Sequence, residues 1–335
     1  MTSPGSLALS TRGLRKSYGS RLALDGLDLS VPTGVVYGFL GPNGAGKTTT
    51  MRLLTGLLHP DAGTIELLGS PFRRGDRKRL FDVGALVESP SFYPYLSGRE
   101  NLRALAAAGA RVPRGRIEEL LELVGLRDRA RDKVSGYSLG MKQRLGIAGA
   151  LMSDPRLLLL DEPANGLDPA GIVAMRETLR SLAASGKTVF VSSHLLAEVQ
   201  VLADVVGIIA NGRLVREGSL DSMLRDQGVV RVRVARSEVP AARATLEQLA
   251  SVEARPSDAA DDQWLDVHLE PSRSAEVNQR LAQAGIFASG LTSGTDLELL
   301  FLELTGGDGT GSTEGTFGRI ATPGSNVDAP GAHVS

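Results

Sequence analysis

The stretch GPNGAGKTT at residues 41–49 decides the fold, and it directly follows the apolar run VVYGFL at 35–40. An apolar run that leads into a glycine-rich loop ending in Gly-Lys-Thr predicts a strand, a phosphate-binding loop and a helix start. Gly41, Gly44 and Gly46 are expected to allow backbone conformations that let successive amide N–H groups point at one anion. A glycine-rich turn that carries Lys-Thr by coincidence is the alternative. The helical pattern TMRLL at 50–54 argues against it, so the sequence predicts binding of a nucleoside triphosphate.

Each residue type in this loop has a chemical reason. Lys47 is expected to place a point charge on the β- and γ-phosphates, and the Thr48 hydroxyl to bind Mg²⁺. The helix that begins near Lys47 adds its positive N-terminal dipole to the same phosphates. The residues predicted here to contact nucleotide are Gly41, Pro42, Asn43, Gly44, Ala45, Gly46, Lys47, Thr48 and Thr49.

Composition limits the remaining possibilities. The chain has 335 residues, of which 42% are hydrophobic and 22% charged, as in an ordinary globular protein with ample core. A net charge of −1 points to neither nucleic acid nor an acidic membrane surface. The absence of cysteine excludes disulfides, zinc–thiolate sites and thiol nucleophiles. Because no signal pattern is seen and no stretch approaches 18 apolar residues, we expect any membrane role to act through a partner.

The first two thirds of the chain read as an α/β domain. Short strands are expected within 7–40, and the helix after the loop is expected to stop near 59–63. The pattern from about 82 to 154 is mainly helical. The uninterrupted apolar runs at 157–160 and 188–192 predict strands buried on both faces of a parallel sheet. Helices are predicted at 99–108, 116–124, 138–152 and 170–185.

The pattern changes after residue 220. Strand-like and helix-like segments alternate and predict a small α+β appendage over 221–304, closed by the amphipathic segment 296–304. Within it, strands are expected at 229–235, 264–269 and 286–291, and helices at 238–250 and 272–284. From 305 to 335 Gly, Ser, Thr and Pro dominate, so this tail is predicted to be disordered.

Two carboxylates follow the apolar run LLLL at 157–160. In P-loop enzymes an aspartate at the end of such a strand binds Mg²⁺. The sequence therefore predicts that Asp161 has this role. Glu162 is then well placed to polarise an attacking water as a general base. A buried strand with an acidic exit turn is the alternative, and the phosphate-binding loop earlier in the chain favours the functional interpretation.

The segment YSLGMKQR at 137–144 opens a predicted helix, with Ser138 as its N-cap. Here the chain resembles the ATP-binding-cassette (ABC) family, whose signature helix usually reads LSGGQ and precedes the aspartate strand. The resemblance implies that Ser138 and Gly140 approach the γ-phosphate. Leu139 and Met141 depart from the family's glycine and glutamine, which implies altered local geometry.

Four further positions resemble the family. Asp168 lies in a segment similar to the D-loop, which crosses the dimer interface, and His194 matches the switch histidine that contacts the γ-phosphate. Tyr18 matches the aromatic that stacks on adenine, although an isolated tyrosine could equally serve packing. Glu88 stands where the family's Q-loop has glutamine; it could still bind Mg²⁺, but it adds negative charge beside the phosphates.

The resemblance covers residues 7–220 and implies a fold and a function. The implied fold is the ABC cassette, with a parallel core sheet, an antiparallel β subdomain and a helical subdomain at about 88–154. The implied function is a transporter motor in which two chains form a head-to-tail homodimer around two ATP·Mg²⁺. A separate integral membrane subunit would hold the motor at the cytoplasmic face of the membrane. The variant signature and Glu88 look most like bacterial ABC-2-type exporters of the bacitracin and lantibiotic resistance group.

An aromatic cluster suggests where the membrane subunit docks. Of 8 Phe, 5 Tyr and 1 Trp, three aromatic residues, Phe92, Tyr93 and Tyr95, fall within four positions. In ABC transporters this neighbourhood receives the membrane subunit, and clustered aromatics suit an interface. A local core cluster in the helical subdomain is the alternative.

Two other functions remain to be weighed. A soluble ABC protein acting on ribosomes or DNA is disfavoured by the single cassette and the lack of a basic tract, so no nucleic-acid partner is expected. A regulatory subunit that does not hydrolyse ATP is disfavoured because Lys47, Asp161, Glu162 and His194 are all present.

Overall fold

The computed structural model describes residues 6–108, 112–225, 228–254 and 261–293, together with Leu297, Phe301 and Leu304. The tail at 305–335, for which disorder is predicted, lies outside the described residues, as does most of the segment 296–304. Within the described ranges the chain forms three β-sheets and nine α-helices. No helix in these ranges is both long enough and apolar enough to cross a membrane.

The N-terminal part of the chain builds an antiparallel sheet. Its first two strands have 12 residues each and are longer than expected. Gly13 and Gly26 have positive φ, and the pairing register shifts there, so the strands bulge instead of ending. The sheet order is β2-β1-β4-β5. The elements are β1 (Leu7–Tyr18), β2 (Arg21–Pro32), β3 (Val36–Leu40), α1 (Lys47–Leu54), β4 (Ala62–Leu67) and β5 (Ser70–Pro71).

Helix α1 begins at Lys47, as the sequence predicts, but the predicted stop near 59–63 is wrong. The helix ends at Leu54 with Thr55 as its C-cap. Gly56 then takes a φ of 72°, the left-handed conformation that commonly ends helices.

A six-stranded sheet forms the centre of the molecule, in the order β10-β9-β3-β8-β7-β6. All neighbours in it are parallel except β9 and β10, which are antiparallel. Its remaining strands are β6 (Val83–Leu86), β7 (Leu157–Asp161), β8 (Thr188–Ser193), β9 (Val205–Ala210) and β10 (Arg213–Ser219). The helices between and after them are α2 (Gly98–Ala107), α3 (Arg116–Leu123), α4 (Leu139–Ala150), α5 (Pro169–Ala184), α6 (Leu196–Leu202) and α7 (Leu220–Arg225).

The predicted central strands are confirmed, since every residue of β7 and β8 is buried. Two hydrophobic clusters cover opposite faces of the sheet: Leu158 and Leu160 face α2–α5, while Leu157 and Leu159 face the antiparallel sheet. In contrast, the mainly helical prediction from residue 82 is wrong at its start, where β6 forms an edge strand.

The order of the strands in this sheet determines where the predicted functional residues lie. Strands β3, β8 and β7 are parallel neighbours, so their carboxyl ends meet at one edge. The glycine-rich loop leaves β3, Asp161 ends β7 and Ser193 ends β8. Ligands of open α/β sheets bind at this edge, which is therefore the place to look for a site.

A third sheet follows α7, with β11 (Val230–Ala235), β12 (Val252–Ala254), β13 (Asp262–Val267) and β14 (Gly290–Ser293) in the antiparallel order β12-β13-β11-β14. Helices α8 (Val239–Leu246) and α9 (Ser274–Gln283) share a hydrophobic cluster with the alternate valines of β11. The predicted α+β character is observed, and the short β12 was not expected. The domain boundary near residue 220 stays a prediction.

Residues near the end of the described chain pack onto the cassette. Leu297 is buried, and with Phe301 and Leu304 it contacts a cluster that includes Val199 of α6 and Val206 of β9. Their spacing puts these three side chains on one helix face, as the amphipathic pattern at 296–304 predicts. The segment is expected from the sequence to close the appendage, but these three residues pack against the cassette and are not part of the described appendage core.

Candidate nucleotide-binding site

A cleft of about 570 Å³ opens at the carboxyl edge of the central sheet. It brings together part of the glycine-rich loop with residues from β1, β2 and the ends of β7 and β8. Of the predicted site residues, Tyr18, Asn43, Gly44, Gly46, Lys47, Thr48, Thr49, Glu162 and His194 line it, and so do Arg21, Ala23 and Asn165.

Glycine is required in the loop for two different reasons. Gly44 and Gly46 have φ of 83° and 113°, and an added Cβ at Gly46 would lie 2.6 Å from Leu24 Cδ2. The expectation of unusual backbone conformation therefore holds for these two. For Gly41 it is wrong: its φ is not positive, and glycine is needed because a Cβ would lie 2.5 Å from the Ile209 carbonyl oxygen.

Lys47 is buried at the first turn of α1 and folds back onto its own loop. Its Nζ donates hydrogen bonds to the Gly41 carbonyl at 2.7 Å and to the Pro42 carbonyl at 3.4 Å. It also lies 3.5 Å from Glu162 Oε1. An ammonium group held at this place can exchange these oxygens for phosphate oxygens without moving far.

Glu162 is held between two cationic or hydrogen-bonding groups. Lys47 approaches one carboxylate oxygen, and His194 Nδ1 lies 2.8 Å from the other, Oε2. Glu162 also has a φ of 48°, an uncommon backbone conformation for a residue with a side chain. The cleft therefore contains a carboxylate in a fixed position, which a general base requires.

Asp161 lies behind Glu162 and is 4% exposed. The hydroxyl of Ser192, on the neighbouring strand β8, donates a hydrogen bond to Asp161 Oδ1. Gln143 of α4, also buried, donates to the Glu162 carbonyl at 3.4 Å. Neither Ser192 nor Gln143 was among the predicted site residues.

The donor set suits a magnesium ion bound together with phosphates. Among the described residues no group of three or more His, Cys, Asp or Glu side chains could hold a metal alone. Mg²⁺ at phosphate sites needs only one or two protein oxygens, with phosphate and water completing the octahedron. The Thr48 hydroxyl and the Asp161 carboxylate are oxygen donors of this kind, so the residues present fit the ion.

Tyr18 and Arg21 lie at the rim of the cleft. Tyr18 is 44% exposed, which leaves its ring accessible to a ligand. Arg21 Nη2 lies 3.3 Å from the position of a Cβ on Gly44, so the guanidinium rests against the tip of the loop. No sequence motif marks Arg21, because its place depends on the β1–β2 hairpin.

Glu88 is outside the cleft lining and pairs with Arg52 of α1. Its φ of 65° turns the chain after β6, and both side chains are partly exposed. The hydrogen bond that Arg52 donates to Glu88 is the main cause that raises the pKa of Arg52, and Tyr18 adds to this shift. The Glu88 carboxylate is thus engaged in an ion pair with Arg52. Its role as an Mg²⁺ ligand stays a prediction.

The lining of the cleft in this chain does not include the remaining predicted residues, which are Gly41, Pro42, Ala45, Ser138, Gly140, Asp161 and Asp168. Ser138 is exposed and caps α4 by accepting a hydrogen bond from the Met141 N–H at 3.2 Å, which confirms the N-cap prediction. Asp168 caps α5 by accepting from the Gly171 N–H at 3.1 Å. Leu139 is 54% exposed and contacts Gly166, where any Cβ would clash with it.

Comparison with known proteins agrees with this geometry. A model of the ABC transporter family matches residues 24–165. The chain is 40% identical over 304 residues to the bacitracin transport ATP-binding protein BcrA of Bacillus licheniformis, covering 90% of this chain and 98% of that protein. It is 42% identical over 213 residues to the lantibiotic transport ATP-binding protein SrtF of Streptococcus pyogenes, covering 64% of this chain and 91% of that protein.

Solved structures show the same fold. The ATP-binding subunit of an ABC transporter superposes with a TM-score of 0.59 at 31% identity, covering 65% of this chain and 92% of that chain. A second similar structure is cbiO1 from Clostridium perfringens, described as part of the ABC transporter complex cbiONQ. Its TM-score is 0.59 at 25% identity, with 72% of this chain and 96% of that chain covered. These likenesses favour a transporter subunit over a soluble protein acting on ribosomes or DNA.

Proposed function

This chain belongs to the ABC transporter family as an ATP-binding and ATP-hydrolysing subunit, and from that premise we propose that it drives export of peptide antibiotics of the bacitracin or lantibiotic type. The observation that carries the proposal is the match to BcrA, which spans 98% of that protein and includes the part after residue 220. Many ABC proteins share the cassette alone, so a match that continues through the appendage is the more specific support.

Resistance measurements test the cargo. The chain would be expressed in a bacitracin-sensitive host together with a candidate membrane subunit taken from a neighbouring gene, and the minimal inhibitory concentrations of bacitracin and a lantibiotic would be compared. Protection by the wild type, lost in Lys47→Ala, supports the proposal. If the strains with the wild type and with Lys47→Ala were equally sensitive although the two proteins assemble, the proposed cargo would be wrong. The ATPase function would not be affected by that result.

We propose the following roles for the residues of the cleft. The amides of the loop and Lys47 bind the phosphates, and Tyr18 stacks on adenine. Thr48 and Asp161 would hold Mg²⁺, which neutralises phosphate charge when bound. Glu162 polarises the water that attacks the γ-phosphate, and His194 holds Glu162 and contacts that phosphate, so that ATP and water yield ADP and inorganic phosphate. Supporting this is the short distance from Glu162 to both Lys47 and His194.

The second half of each site is proposed to come from another copy of the chain. Ser138, Gly140 and Asp168 lie outside their own cleft, and Ser138 is exposed at the positive end of α4. In a head-to-tail C2 dimer the same surfaces meet twice and complete two sites. ATP would then be bound between the chains, so that its binding closes the dimer and its hydrolysis opens it.

Docking of a membrane subunit is proposed at Tyr93 and Tyr95, which would place the chain at the cytoplasmic face of the membrane. Tyr93 and Tyr95 are 55% and 65% exposed, and their ring centroids are 5.8 Å apart. Buried Asn101 fixes the backbone here, accepting from the Tyr93 N–H at 2.8 Å and donating to its carbonyl at 3.1 Å. Phe92 differs, because it packs against the helical core. Both interpretations of the aromatic cluster thus find support, each for different residues.

Replacing Tyr93 and Tyr95 together by alanine is expected to lower the affinity for the membrane subunit roughly 30- to 1,000-fold, since each buried aromatic contributes about 1–2 kcal/mol. Co-purification and ATP binding of the isolated chain would be measured, with Phe287→Ala as the control because Phe287 is 77% exposed on the appendage. Phe92→Ala should instead lower the melting temperature. Unchanged co-purification of the double variant would exclude this docking surface.

A further inference from the structure

Ser192 ends the run TVFVS in the strand that precedes the switch histidine, and no motif marks it. It is fully buried, and in the parallel pairing of β7 with β8 it lies directly opposite Asp161. A buried hydroxyl needs partners for its hydrogen and its lone pairs. Those partners are the two acidic residues of the cleft.

The Ser192 hydroxyl makes two hydrogen bonds with this acidic pair. It donates to Asp161 Oδ1, and it accepts from the Glu162 N–H at 3.2 Å. The same N–H also lies 3.1 Å from the Ser192 carbonyl oxygen, so Ser192 holds it twice. One side chain therefore fixes the carboxylate of Asp161 and the backbone of Glu162.

The backbone of Glu162 needs such support. Its φ of 48° lies in the left-handed region, which residues with a Cβ adopt only when their surroundings impose it. The neighbouring Ser193 does not take part, since its hydroxyl accepts from the Leu195 N–H at 3.0 Å in the following loop. The two serines thus serve different parts of the site.

We infer that Ser192 is a positioning residue that aims Asp161 at the magnesium ion and sets Glu162 at the attacking water. The inference rests on the proposed roles of Asp161 and Glu162. Hydrogen bonds to ligating carboxylates orient them, and removal of such a partner typically costs 10–100-fold in metal affinity or activity. Ser192 itself is fully buried and does not line the cleft, so we assign it no direct contact with the ligand.

Four full-length proteins test the inference: the wild type, Ser192→Ala, Ser192→Thr and Thr188→Val. Thr188 is the matched control because it is a buried hydroxyl at the opposite end of β8, accepting from the Gly34 N–H at 2.9 Å. ATPase rate is measured against free Mg²⁺. Affinity for a fluorescent ATP analogue is measured with Mg²⁺ and with EDTA, and melting temperatures report folding.

Ser192→Ala is expected to raise the Mg²⁺ concentration at half-maximal rate by roughly 10–100-fold and to lower kcat, with metal-free affinity unchanged. Ser192→Thr, which keeps the hydroxyl, should restore the wild-type value of this Mg²⁺ concentration, the Mg²⁺ midpoint. If its extra methyl prevents folding, the comparison of Ser192→Ala with Thr188→Val still decides. Thr188→Val should lower the melting temperature without moving the midpoint.

A wild-type Mg²⁺ midpoint and kcat in Ser192→Ala would overturn the inference while leaving the ion site itself standing. An equal shift in Thr188→Val would also overturn it, since the effect would then be a general loss of packing. If the wild type showed no dependence on Mg²⁺ in either rate or binding, the proposed ion site and the role of Ser192 would both fall.

Discussion

Replacing Glu162 by glutamine is expected to slow ATP turnover by about 10²-fold or more, the contribution of a well-placed general base. Glutamine keeps the shape of the side chain, and its amide oxygen can still accept from His194, so the cleft should stay assembled. What is lost is the negative charge that polarises the attacking water. ATP affinity should be preserved, because the glycine-rich loop and Lys47 are unchanged.

Because the variant binds ATP but does not hydrolyse it, ATP-dependent dimers should accumulate and be visible by size-exclusion chromatography. Glu177→Gln is the matched control, since Glu177 is exposed on α5 and away from the cleft. It should show wild-type turnover and no stable dimer. Wild-type turnover in Glu162→Gln would remove Glu162 from the mechanism, and loss of ATP affinity would assign it to binding instead.

The sequence predicts the half of the site that is contiguous along the chain. The glycine-rich loop can be interpreted residue by residue because strand, loop and helix follow one another within 35–54. Asp161 and Glu162 are predictable for a related reason, since an apolar run places them at a strand end. Even here one reason was wrong: Gly41 is needed for its closeness to the Ile209 carbonyl and not for its backbone conformation.

Residues that join the site through pairing between strands could not be predicted. Ser192 meets Asp161 across 31 positions of sequence, and only the order of strands in the sheet brings them together. Arg21 likewise reaches the loop through a hairpin whose length was underestimated. The four-residue edge strand β6 and the three-residue strand β12 are too short to show a period of their own.

The other large effect is expected from Ser138→Arg, which should abolish hydrolysis in the homodimer while ATP binding by the monomer stays nearly intact. Ser138 is exposed and lies outside its own cleft, so a bulky cation there should disturb a site shared with another copy and leave the cleft of its own chain in place. The variant also loses the cap that binds the Met141 N–H, at a cost of about 1 kcal/mol. Ser97→Ala removes the matching cap of α2 and controls for that loss, so it should remain active.

Mixing Ser138→Arg with Lys47→Ala tests whether the site is composite. In the Ser138→Arg homodimer both sites lack a working signature helix, and in the Lys47→Ala homodimer both sites lack a working glycine-rich loop. A heterodimer has one intact site, formed by the loop of the Ser138→Arg chain and the signature helix of the Lys47→Ala chain. An equal mixture with random pairing should therefore recover at most about one quarter of the wild-type rate, because half of the dimers carry one of two sites. Full activity of Ser138→Arg alone would mean that the head-to-tail arrangement is wrong. No recovery in the mixture, with heterodimers demonstrated, would mean that a single site cannot work without the other.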